Sequence, residues 1–143
     1  MNELTITGPA DKVSAWAELH TTKYETSTSV LDFNKSVPEP LDENGNSNVN
    51  WQYDNWGTKW GACDTCYLYF NEGHVTIAFD TAWGPADTWI HTMSDMFPDL
   101  EFTCRYAEPG YLRYNMRGSN HTLWSLNCIS GSTSFLHKEI YVS

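Results

Sequence analysis

The sequence predicts an α+β protein: a split βαβ sheet with two helices, a long insertion between its second and third strands, and a C-terminal antiparallel β-meander. Three patterns predict it. Two segments have helical period and are flanked by segments of period two, their order is β-α-β, insertion, β-α-β, and the last thirty residues alternate apolar and polar without a helix.

Leu4-Thr5-Ile6-Thr7 alternates as a half-buried strand does, and Gly8-Pro9 breaks it. Pro9 is suited to the first turn of a helix, along which Val13, Trp16, Ala17 and His20 recur at helical spacing. Val30-Leu31-Asp32-Phe33 reads as the second strand. From Asn34 the chain is rich in Asn, acids and proline, and the insertion is assigned to 34–72. Val75, Ile77 and Phe79 mark the third strand. The second helix is expected from Gly84 at the cap and Pro85 at its first position, with Ala86, Trp89, Ile90, Met93 and Phe97 on one stripe. Phe102, Cys104 and Tyr106 alternate as the fourth strand, and two helices on one face of four such strands is the ferredoxin-like plan. Leu112–Arg117, His121–Ile129 and Phe135–Val142 then read as a meander turned at Gly118-Ser119-Asn120 and Ser130-Gly131-Ser132. At 143 residues this is a single domain, 1–110 holding the core with its insertion and 111–143 the extension.

Seven Trp and eight Tyr supply a core and argue against wholesale disorder. The net charge is −10, and its distribution is uneven. Between Ser36 and Glu101 there are eleven acidic residues and one basic residue, Lys59, whereas 103–143 carries two acids and four bases. An acidic surface repels phosphate backbones, which disfavours direct nucleic-acid binding and suits a basic protein partner. The first residues show no basic and apolar leader pattern, and no run approaches the ~20 apolar residues of a membrane helix. The expectation is a cytoplasmic protein with no membrane partner and reduced thiols.

Three blocks carry a family resemblance: Phe33-Asn34-Lys35-Ser36-Val37-Pro38-Glu39-Pro40, Asn55-Trp56-Gly57-Thr58-Lys59-Trp60-Gly61-Ala62, and Phe79-Asp80-Thr81-Ala82-Trp83-Gly84-Pro85. With Phe97-Pro98-Asp99-Leu100 and Tyr106-Ala107-Glu108-Pro109-Gly110, the chain resembles the Api92-like proteins over roughly residues 1–118. The resemblance implies a YubB-type ferredoxin-like domain of phage or plasmid origin. It implies no catalytic residues.

The chemistry-bearing motifs are sparse. Cys63-Asp64-Thr65-Cys66 is half of a tetrahedral zinc site, which Cys104 and Cys128 would have to complete; structural thiols are the simpler assignment. His74 with Asp80 and His91 with Asp95 have the chemistry of acid–base pairs, but no HxH, HExxH, phosphate loop or nucleophile elbow is present. The tryptophans at 51, 56, 60, 83 and 89 suit either a core or an exposed aromatic patch.

The leading expectation is a non-catalytic acidic binding protein without a cofactor. It would occupy a basic surface of a host protein as an anti-defence inhibitor, anti-CRISPR activity being one form. Its partner-binding residues are expected to be Glu39, Asp42, Glu43, Asp54, Asp64 and Glu72, with Trp51 and Tyr53 as anchors. Two alternatives stand beside it: a nucleotide-sized ligand held by Trp56, Trp60 and Arg105, and a zinc-stabilised structural module.

Overall fold

The computed structural model describes residues 1–82, 84–107 and 121–141. The elements run β1 (Asn2–Thr7), α1 (Ala10–Leu19), β2 (Thr22–Lys23), β3 (Thr28–Ser29), a 3₁₀ turn (Phe33–Lys35), α2 (Val49–Trp56), β4 (Lys59–Asn71), β5 (His74–Ala82), α3 (Asp87–Met96), β6 (Glu101–Ala107), β7 (His121–Ile129) and β8 (Ser132–Tyr141). The main sheet has the order β4-β5-β1-β6-β7-β8, and all its neighbours pair antiparallel. Its first four strands, with α1 between β1 and β4 and α3 between β5 and β6, make the split βαβ unit. The fold is ferredoxin-like, extended along one edge by the β7–β8 hairpin.

The second strand of that unit is β4, not Val30–Phe33. The insertion therefore lies between α1 and β4, and only part of the expected 34–72 span belongs to it. Alternation at Val30–Phe33 misleads because Leu31 and Phe33 are buried as parts of an ordered arm outside the sheet. Asp32 takes its place in a turn: its backbone N–H donates to the His20 carbonyl and its carboxylate accepts from the Asn34 N–H. The third helix also starts later than expected. Ala86 stands at its cap and Asp87 is its first residue, so Pro85 precedes the helix. The expected strand at 112–117 and Trp83 lie outside the described residues.

One continuous core lies between the sheet and the helices. Leu4, Ile6, Val75, Ile77, Phe79, Phe102, Cys104, Leu126 and Cys128 face it from the strands, and Val13, Trp16, Trp56, Trp89, Ile90 and Met93 from the helices. Trp89 stacks on Phe33 with ring centroids 4.4 Å apart, and its Nε1 donates to the Phe33 carbonyl at 3.3 Å. Buried aromatics of this kind cost about 3–5 kcal/mol when cut to alanine.

Among the described residues no helix covers the far face of the sheet. Register places Glu3, Thr5 and Thr7 of β1 beside Ala78, Thr76 and His74 of β5, and beside Arg105, Thr103 and Glu101 of β6. Thr5 and Thr76 share a hydroxyl hydrogen bond at 3.1 Å. On this face β1, β5 and β6 present no Phe, Tyr or Trp, and Tyr69 of β4, opposite Thr76, packs edge-on against His74.

Candidate interaction surface

Helix α2 organises the surface. Its start is set by Asn48, whose side chain accepts the Trp51 N–H at 3.0 Å, and its end by Gly57 in the left-handed conformation at φ 81°. At 100° per residue, Gln52 and Trp56 fall on one stripe, and both are buried. Trp56 is the core ring of this helix: its Nε1 donates to the Val37 carbonyl at 3.0 Å, and Trp51 packs edge-on against it at 5.5 Å. Gln52 is 2 % exposed and joins three segments. Its Nε2 donates to Glu39 Oε2 at 2.8 Å, and its Oε1 accepts the Trp60 backbone N–H at 3.0 Å. One buried amide thus fixes the acidic loop before α2 to the first residues of β4 after it. A glutamine in a polar stretch gives no sequence signal for such a role, and the sequence reading missed it.

The loop itself is a built turn. The Asp42 carboxylate accepts the backbone N–H groups of Asn44 and Asn46 at 2.9 and 2.8 Å, and backbone hydrogen bonds close the turn between Asp42 and Asn46 and between Asp42 and Gly45. The Asn46 and Asn44 donors hold the Asp42 carboxyl below its ordinary pKa, so the charge persists into mild acid. Pro40, Leu41, Asp42, Asn46, Asn48 and Trp51 line a groove of about 320 Å³. Glu43, next in the chain to Asp42, is exposed, and Leu41 is 56 % exposed.

Strand β4 is an outer edge of the sheet and carries four exposed large apolar side chains: Trp60, Leu68, Tyr69 and Phe70. Its register against β5 slips three times. Trp60 and Asp64 take positive φ, 63° and 50°. Bulges of this kind twist an edge and re-aim its side chains, which discourages strand addition and turns β4 into a side-chain surface. Lys59 Nζ lies 4.5 Å from the centre of the Trp60 ring.

The expected partner-binding residues are not gathered at one place. Glu39, Asp42, Glu43 and Trp51 share the loop and groove, and Asp54 points outward from α2, opposite its buried stripe. Tyr53 lies on the other flank of that stripe from Trp51. Asp64 lines a separate groove with Tyr24, Ser27, Thr28, Ser29 and Thr65, and Glu72 stands at the β4–β5 turn, at the opposite end of β4 from Trp60.

The two alternatives fail on geometry. Trp56 is 1 % exposed within the core, while Trp60 is exposed and Arg105 lies on the open face three strands away from β4, so the three do not form a pocket. Strand alternation explains the last point, since Cys104 and Tyr106 face inward and Arg105 must face out. The four cysteines do not form a zinc site. Cys63 and Cys66 are exposed on β4, whereas Cys104 and Cys128 are buried on β6 and β7, three and four strands away, or roughly 14 and 19 Å at the usual strand spacing. Burial pushes the Cys104 thiol up to about 12. Among the described residues no three His, Cys, Asp or Glu side chains cluster as a metal centre would require.

Of the two acid–base pairs, only one forms. His74 packs edge-on against Tyr69, while Asp80 lies six residues along the same strand. His91 Nε2 is 3.5 Å from Asp95, and its Nδ1 meets the Thr133 hydroxyl at 2.5 Å. The Gly131 N–H donates to Ser94 Oγ and the Ser130 hydroxyl to the Pro98 carbonyl, so His91 belongs to a row of bonds fastening the β7–β8 hairpin to α3. Among the described residues no helix is long and apolar enough to cross a membrane.

No curated protein and no solved structure matches the chain. A family model does, over residues 55–124, and its description is a ferredoxin-like domain in Api92-like protein. That span is narrower than the resemblance read over residues 1–118, and it starts within α2, taking in β4, β5, α3, β6 and the start of β7. It therefore holds three of the four strands of the split βαβ unit and the helix between the last two, with β1 and α1 supplied by the preceding chain. Residues 55–124 are thus similar to the ferredoxin-like domain in Api92-like protein.

Proposed function

We propose that the protein is a non-catalytic binding protein that occupies a basic surface of another protein, with the loop 39–46 and α2 as its contact. The observation that carries this reading is the buried Gln52 amide, which holds Glu39 and the bulged start of β4 in one frame beside the Asp42 turn. Acids presented on a preorganised loop lose little conformational freedom on binding, and neighbouring Leu41 and Trp51 supply the apolar anchor that interfaces need. A basic nucleic-acid channel of a host defence complex is the partner that this charge and the resemblance to phage and plasmid proteins suit best. The protein would then act in the cytoplasm of the host as an anti-defence inhibitor.

The test is charge reversal that spares the carboxylate closing the turn. Asp42 is unsuitable because its carboxylate holds the loop together. Glu43→Lys with Asp54→Lys leaves those bonds intact. The partner is recovered by affinity capture from host cells, identified, purified and titrated with both chains at low and high salt. The reversed chain is expected to bind at least tenfold more weakly at low salt, about 1.4 kcal/mol, and the gap is expected to close as salt rises. Equal affinities at both salt concentrations would refute the reading.

A further inference from the structure

Residues three apart on a regular strand face opposite sides of a sheet. Cys63 and Cys66 do not. Cys63 lies opposite Asp80 and Cys66 opposite Ala78, so three steps along β4 match two along β5. The extra residue is taken up in a bulge where Asp64 adopts φ 50°. Directly opposed residues share a face, and Ala78 and Asp80 both lie on the side away from buried Ile77 and Phe79. The bulge therefore brings both thiols to the open face, separated along the strand by about 6.6 Å, the two-residue repeat of β5. Both are free and exposed.

We propose that Cys63 and Cys66 form a two-thiolate site for a soft monovalent cation of the Cu(I) type. Two ligands on one face select the ion. Zinc takes four ligands in a structural site, and no third metal-binding side chain joins these two among the described residues. Calcium and magnesium take oxygen ligands. A soft d¹⁰ monocation accepts linear coordination by two thiolates, and thiolate is the donor it prefers. Closure to a disulfide is the less suitable outcome, because the separation falls at the upper end of the ~4.4–6.8 Å Cα range such bonds span.

The surrounding charge fits a cation. Asp64 adjoins Cys63 in the chain and Asp80 lies opposite it on β5, and their negative charge attracts a positive ion. Binding is an exchange: one cation enters, two S–H bonds break, two metal–sulfur bonds form and two protons leave to solvent. The site then carries one net negative charge.

The test is an anaerobic competition of the reduced full chain against the coloured Cu(I)–bicinchoninate complex, read by loss of absorbance. One Cu(I) per chain is expected to transfer. Cys63→Ser and Cys66→Ser, at exposed positions with unchanged circular dichroism, are each expected to weaken transfer by roughly two orders of magnitude. Cys128→Ser is expected to retain it if folded. The proposal is overturned if the wild-type chain withdraws no Cu(I), or if either exposed serine variant withdraws as much as the wild type.

Discussion

Acid should loosen this protein through His20 in a way that one substitution removes. The ring is 0 % exposed and lies 4.2 Å from Trp16, 5.6 Å from Trp89 and 6.1 Å from Phe97, centroid to centroid. Its Nδ1–H donates to the Trp16 carbonyl at 2.7 Å, which leaves Nε2 to accept the Ser36 hydroxyl at 2.5 Å. Both contacts are satisfied by the neutral ring. Burial lowers the folded pKa from 6.5 to about 4, against smaller opposing effects of the Trp16 carbonyl and Asp32. The unfolded chain therefore binds a proton between these values that the folded chain refuses. His20 stability is complete above pH 6.5 and is lost as pH falls toward 4. At pH 4.5 the loss amounts to roughly 2–3 kcal/mol, because a proton that only the unfolded chain binds costs about 1.36 kcal/mol for each pH unit below 6.5. Urea unfolding followed by tryptophan fluorescence at pH 7, 6, 5 and 4.5 measures it, with His20→Gln as the non-titrating reference. The variant is expected to be less stable at pH 7, and the difference should shrink by roughly 2–3 kcal/mol by pH 4.5. Parallel stability curves for the two proteins would refute the argument, since carboxylate titrations common to both cancel in the difference.

Two further substitutions probe the frame of the acidic surface. Gly57→Ala places a methyl group on a residue with φ 81°, against the side chains of Asp87 and Thr88 at the start of α3. It is expected to cost at least 1–2 kcal/mol in urea unfolding, of which about 1 kcal/mol is backbone strain. Gln52→Ala removes both amide bonds and leaves the Trp60 N–H without its acceptor. An expected loss of roughly 1–3 kcal/mol would be accompanied by faster hydrogen exchange at the Trp60 amide, while exchange in β1 and β6 speeds up no more than the loss of global stability requires.

The parts of this protein that were legible in its sequence are those with a local period. Val13, Trp16 and Ala17 mark α1, and Val75, Ile77 and Phe79 mark β5, because burial on one face repeats every 3.6 or every two residues wherever the element is regular. The acidity of the middle of the chain was equally plain. Helix α2 escaped notice because half of its buried stripe is Gln52, a residue whose burial is made tolerable only by partners at positions 39 and 60. Strand β4 was missed as the second strand of the split βαβ unit because three bulges erase its alternation, and Val30–Phe33 imitated a strand because Leu31 and Phe33 are buried by an arm that never enters the sheet. Local patterning was thus enough to specify the fold class, the two amphipathic helices and the charge of the surface. Which acids stand together, which tryptophans are core, and that Cys63 and Cys66 share a face were settled only by the folded arrangement. Those outcomes depend on register and on pairings between distant residues, and neither leaves a periodic trace in the chain.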